Sequence, residues 1–286
     1  METLESELAR ARELAVDELA DAIESIGFEC TRCGGCCTGY ETAGSHCDSD
    51  DDRDGEDNPA RGEDRVDTDR EEAEREPHTA TAFPGEIREL ADAASEEFAE
   101  TYDWRDVARP MPYGLHENAD GDLVGETFEW AIATDDCGDC TFYEETDGQG
   151  ACTVHGARPL VCRTYPFSVA LGGTSQPMGE AVDEAGMVRA HECEGLGRDI
   201  GRDEAERLAA ALKQRAVREI SEAIAVRDEY DPNAAERADV DVVVFDSEGP
   251  KHGDGTPIDS ASNANAESDT DVNTETDPHA TDQRTT

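Results

Sequence analysis

The sequence predicts an α+β fold: a small, helix-dominated and irregular cysteine-rich metal-binding domain with one β-hairpin, joined to a disordered acidic insertion and a disordered acidic C-terminal tail. Three observations carry that expectation. Apolar residues recur at helical spacing in three segments, ten cysteines fall into groups at 30–47 and 137–193, and two acidic stretches hold almost no large aliphatic side chain.

From Glu2 to Ile26 the residues Leu4, Leu8, Ala11, Ala15, Leu19, Ala22 and Ile26 repeat every three or four positions between charges, which predicts one amphipathic helix. Gly27 is its expected stop, because glycine takes the left-handed conformation that ends helices. The first cysteines follow at once, in a loop. Residues 48–77 then carry 15 acidic and 5 basic side chains in 30, with Val66 the one aliphatic larger than alanine. Such a segment buries too little apolar surface to repay its ordering entropy, so it reads as a disordered insertion.

Phe83-Pro84 opens a second helix whose Ile87, Leu90, Ala91, Ala94 and Phe98 share a face. Pro112 to Glu117 and Leu123 to Ala133 read as two strands, and the Asn, Asp and Gly residues of 118–122 supply the chemistry of a hairpin turn. Between 137 and 198 the glycines, prolines and remaining cysteines predict short elements. From Arg202 to Tyr230, Ala205, Leu208, Leu212, Ala216, Ile220 and Ile224 mark a long helix that packs on the first helix or on the cysteine-bearing core. Ser247 to Thr286 has Ile258 and Val272 as its large apolar residues and reads as a disordered tail. The expected organisation is a single domain over 1–246, interrupted by the insertion, and a tail over 247–286.

The chain has 286 residues, 71 acidic against 24 basic, and a formal net charge of -47. Of the basic residues only Lys213 and Lys251 are lysines. This is a halophile-type balance, in which acidic side chains keep a protein hydrated in concentrated salt that screens their repulsion. Nucleic acid and anionic membrane are excluded as partners because both repel such a surface. The first residues have neither the basic start nor the apolar run of an export signal, and no apolar stretch approaches the roughly 20 residues of a membrane span. The expected location is the cytoplasm, where thiols stay reduced and close-set cysteines hold metal more often than they form disulfides.

Cys30, Cys33, Cys36 and Cys37 place four thiols in eight residues, and Gly34 and Gly35 permit the tight turn that aims them at one point. Soft thiolates select zinc, copper(I) or iron–sulfur clusters over hard cations. Four of them satisfy tetrahedral zinc, or give one sulfur to each iron of a 4Fe-4S cluster, and spacing does not separate the two. Adjacent side chains are expected to diverge, so one of Cys36 and Cys37 would serve a second metal or none. The later group adds Cys137, Cys140, Cys152, Cys162 and Cys193. Arg158 and Arg163 are placed to offset thiolate charge, Pro159 and Pro166 to set the direction of the Cys162 segment, and Phe142, Phe167 and Trp130 to pack a small core.

The ordered set resembles the CxxCxxCC cysteine-cluster family, also called the YkgJ type. The match falls on Cys30, Cys33, Cys36 and Cys37, then Cys140, Cys152, Cys162 and Cys193, with Arg158, Pro159, Arg163, Tyr165, Pro166 and Phe167 in its arginine–proline segment. Thr141 and His155 depart from the family pattern, and Cys47 and Cys137 lie outside it. The resemblance implies that these eight cysteines chelate zinc or iron, with iron favoured by the frequent iron–sulfur labelling of members. It also admits two other readings: an iron–sulfur-dependent protein lysine methylase similar to flagellin N-methylase, and a thiol redox protein switching at Cys30/Cys33 or Cys137/Cys140. No cofactor loop or substrate domain points to catalysis. His46, His155 and His191 are secondary candidates as ligands or as donors to the thiolates.

Overall fold

The computed structural model describes residues 3–40, 76–171, 181–183 and 186–259. It is an α+β structure in which a layer of helices stands beside several small sheets. Among the described residues no helix is long and apolar enough to cross a membrane.

The first amphipathic run is two helices rather than one, α1 (Leu4–Glu13) and α2 (Val16–Ile26). The break falls at Leu14, whose extended backbone frees a carbonyl that accepts from Lys213 Nζ at 2.7 Å. Bending there lets both helices lie along the long helix α6 (Arg202–Glu229), burying Ala11, Leu19, Ala20 and Ile23 against Ala205, Leu208, Leu212, Ala216 and Ile220. Periodicity survives such a break because α1 and α2 turn the same stripe toward one partner. Gly27 ends α2 as expected, with φ +77.

Helix α3 (Pro84–Phe98) packs Ile87, Leu90 and Ala94 into a second core around Trp130 and Phe142. Short helices α4 (Trp104–Val107) and α5 (Leu160–Thr164) follow, then α6 and finally α7 (Ala234–Ala238). Trp130, Phe142 and Phe167 are all buried core residues, as expected.

Leu115–Glu117 and Leu123–Phe128 form the expected antiparallel hairpin, and Asn118 Oδ1 shapes its turn by accepting from the backbone of Asp120 and Asp122 at 2.9 Å each. The second predicted strand does not continue to Ala133 as one element. Glu129 adopts φ +66, and beyond it Trp130–Ile132 joins a different sheet, between Thr81–Ala82 and Ala108–Pro110. A further three-stranded sheet pairs Val188–His191 with Phe167–Val169 and Ala181–Asp183.

The boundaries of both acidic segments need correction. Residues 48–75 of the expected insertion lie outside the described residues, but Glu76 is paired through its backbone with Tyr40 at 2.8 and 3.1 Å. The chain therefore leaves and re-enters the domain at one place. The expected tail begins too early. Val242–Asp246 runs parallel to Leu123–Phe128, and Gly249–His252 returns antiparallel to it, so 247–259 belongs to the folded domain. Counting large apolar residues misses this segment because its interior is held by charge. Lys251 Nζ donates to Asp246 Oδ2 at 2.7 Å and Glu248 Oε2 at 2.8 Å and lies over the Trp104 ring, while Trp130 Nε1 donates to Asp246 at 2.8 Å. Residues 260–286 lie outside the described residues.

Candidate metal centre

The loop after α2 is strapped to the segment holding the last cysteine. Phe28 pairs with Leu196, and the Glu29 amide donates to Gly195 O at 3.0 Å, which sets Cys30 and Cys193 side by side. A Cβ on Gly195 would lie 2.2 Å from Glu29 O, so the close approach requires glycine. The Gly195 amide turns back onto Cys193 Sγ at 3.4 Å.

The thiol run itself is a turn. Gly34 takes φ +80, and its carbonyl accepts from the amides of Cys37 and Thr38 at 2.7 and 3.1 Å. The Tyr143 hydroxyl occupies the space a side chain would need, 2.2 Å from a built Cβ on Gly34. Cys36 and Cys37 do not diverge: their sulfurs are 3.7 Å apart. The turn curls the backbone enough to bring neighbouring side chains together.

The second group is tied to this turn at two points. The Cys140 amide donates to Cys37 O, and the Gly150 amide donates to Arg32 O, both at 2.8 Å. Cys152 lies at the end of the hairpin formed by Tyr143–Thr146 and Gln149–Cys152, opposite Tyr143. Cys162 sits on α5, which is fixed from two sides. Glu86 of α3 accepts from the Leu160 amide at 2.8 Å, and buried Arg215 of α6 donates to Thr164 Oγ1 at 3.0 Å and Phe167 O at 3.2 Å. Cys37, Cys140, Cys152 and Cys162 all pack against the apolar core around Trp130, Phe142 and Val154.

The sulfurs of both groups lie within electrostatic reach of one another. Charge on Cys36, Cys140 and Cys152 acts on Cys162, and charge on Cys30, Cys33 and Cys36 acts on Cys193. The hydrogen bond between the two sulfurs draws Cys36 down to about 7 with help from Arg158, and the same bond, burial and the neighbouring thiols push Cys37 far up. Burial pushes Cys140 up to about 12 and raises Cys152, Cys162 and Cys193. Cys37, Cys140, Cys152, Cys162 and Cys193 thus resist ionisation, and a bound cation would reverse that resistance. Among the described residues no three His, Cys, Asp or Glu side chains stand in metal-holding geometry.

The surrounding residues divide clearly. Arg158 acts on Cys36, Cys152 and Cys162, whereas Arg163 is exposed on α5. Among the histidines, His191 Nε2 is 2.9 Å from Ser168 Oγ in the buried helix-facing sheet, and His155 is exposed beside Arg158. His46 and Cys47 lie outside the described residues. Cys137 is disulfide-bonded, while the eight cysteines of the family pattern are free thiols. Cys137 therefore does not pair with Cys140. Sequence reasoning missed Tyr143, Glu86 and Arg215, which position the thiols without touching metal themselves. No local signal marks them, since each acts across more than 45 residues of chain.

A family profile named CxxCxxCC, "Putative zinc- or iron-chelating domain", matches residues 29–194, more than half of the chain. The chain belongs to this family. The CxxCxxCC match begins at the Glu29 strap and ends beside Cys193, so its limits coincide with the two backbone segments that close the thiol site. No curated protein and no solved structure matches the chain. The eight free thiols lie within or immediately beside what the CxxCxxCC family describes as a zinc- or iron-chelating unit.

Proposed function

We propose that the protein is a cytoplasmic metal-binding protein in which Cys30, Cys33, Cys36, Cys37, Cys140, Cys152, Cys162 and Cys193 chelate zinc or an iron–sulfur centre. One observation carries this reading: thiols from the first loop, a second loop, a hairpin, α5 and the Cys193 turn are gathered at one place although up to 163 positions separate them. The donor set fits. The Cys36–Cys37 separation of 3.7 Å matches the edge of a tetrahedron built on zinc–sulfur bonds of about 2.3 Å, which is about 3.8 Å. When bound, the metal supplies positive charge that holds the thiols ionised. The protein's part is to carry them on braced elements, to cover the inner ones with apolar side chains, and to place the Arg158 charge beside them.

Element-resolved analysis of protein purified without oxygen tests the reading. The expected result is stoichiometric zinc, or iron with inorganic sulfide and visible charge-transfer absorbance. Protein that folds with all eight thiols free and no metal overturns it.

A further inference from the structure

Away from the thiol site, we propose that Glu129 is held as a neutral carboxylic acid in the folded protein, and that its ionisation as the pH rises unclasps the C-terminal hairpin from α6. Glu129 stands where the 123–133 segment divides between two sheets, with φ +66, a conformation uncommon outside glycine. Its amide donates to Phe245 O at 3.0 Å, and its carbonyl accepts from the Met111 amide at 3.3 Å. The backbone is pinned on both sides, so the side chain is kept among the charged groups where α6 packs on the hairpin.

Those groups are one positive charge short. Helix α6 supplies Glu222 and Arg218, the hairpin supplies Asp246, Glu248 and Lys251, and α3 supplies Arg88. Arg218 pairs with Glu222 Oε1 at 2.5 Å, Arg88 with Glu248, and Lys251 with Asp246 at 2.7 Å and Glu248 at 2.8 Å. Each cation therefore already has a carboxylate, and Glu129 is the carboxyl left over. Among the described residues its Oε2 and that of Glu222, which is 5% exposed, are buried without a hydrogen-bond partner. A second unpaired negative charge there is costly, whereas a proton on Glu129 removes the surplus. Burial and then the charges on Glu222 and Asp246 push Glu129 up to about 8, which Lys251 and Arg218 only partly oppose. The folded chain keeps this proton up to about 8 and the unfolded chain gives it up near 4.5, so folding weakens as the pH rises through that interval.

Denaturant unfolding of the full-length protein and of Glu129→Gln, each followed across a series of pH values, tests this. The chain has two tryptophans, and both report on the hairpin: Lys251 lies over Trp104, and Trp130 donates to Asp246. The glutamine keeps the shape of the neutral acid and cannot ionise. Its folding equilibrium constant relative to the unaltered protein should grow about tenfold per pH unit up to about pH 8 and then level off. Without denaturant, the unaltered protein should change its tryptophan fluorescence as the pH passes about 8, and Glu129→Gln should not. Infrared spectroscopy of the folded, unaltered protein is the readout that needs no variant stability: a carboxylic-acid carbonyl band should persist at neutral pH and vanish above about 8, and Glu129→Gln should lack it. A stability ratio that does not vary with pH, an alkaline fluorescence change shared by both proteins, or no such band at neutral pH overturns the proposal.

Discussion

The thiol site and the C-terminal hairpin both hold polar groups near the core, and they solve the resulting electrostatic problem in opposite ways. In the hairpin, Asp246 is buried, but Lys251 and Trp130 satisfy it within the chain, and Glu248 is held by Lys251 and Arg88. In the thiol site eight groups of one kind are gathered, and the Arg158 guanidinium acts on three of them, Cys36, Cys152 and Cys162. The first arrangement is complete as folded, whereas the second, on the proposed reading, is completed by a cation. The difference teaches where the chain neutralises its own buried charge and where the proposed metal would have to do so.

Removing metal should produce the largest separation of the two regions. Structural zinc contributes on the order of 10 kcal/mol in small thiolate domains, so chelation, or Cys162→Ser, should open the segment from 137 to 195 while Val242–His252 keeps its pairing. Hydrogen exchange with and without metal checks this, and equal loss of protection in both regions would erase the distinction. Next in size, Lys251→Ala should cost roughly 3–5 kcal/mol in denaturant unfolding, because it leaves Asp246 buried without its cation. Zinc stoichiometry should be unchanged.

Acidification sharpens the comparison. Protons compete with metal for the thiols, so metal occupancy should fall as soon as the pH drops below neutrality. The hairpin responds at lower pH. Arg88 and Lys251 hold the Glu248 carboxyl at about 2 against its usual 4.5, so its stabilising contribution is whole above 4.5 and is lost as the pH falls toward 2. Its side chain is 41% exposed, so solvent screening keeps the effect small. Metal release and hairpin melting followed against pH should show two separated midpoints. The smallest effect belongs to Arg158→Gln. A four-thiolate zinc centre carries net negative charge, and loss of the guanidinium should move the metal-binding midpoint to higher pH by less than about one unit. His155→Ala should leave that midpoint in place.

The helices and the cysteine spacing were legible because both are local patterns. Leu19, Ile23, Leu208 and Leu212 announce a buried stripe wherever their partner lies, and the 30–37 run announces a turn of thiols. Boundaries set by long-range partners were not legible. The Leu14 break depends on Lys213, the division of 123–133 depends on two sheets competing for one strand, and the extension past Ser247 depends on Asp246 meeting Lys251 beneath Trp104. Counting large apolar residues misled there, since that stretch is anchored by a buried and paired lysine, Lys251.

By itself the sequence determined which residues could chemically hold a soft metal, where helices would form and that Gly27 would end one, since side-chain chemistry and backbone preference travel with each residue. Only the tertiary structure decided that Cys36 and Cys37 stay together, that Cys137 stands apart from the free thiols, and which sulfurs the core covers. Those outcomes depend on which distant segments meet, and contacts such as Glu29 with Gly195 and Cys37 with Cys140 are made only by the folded chain.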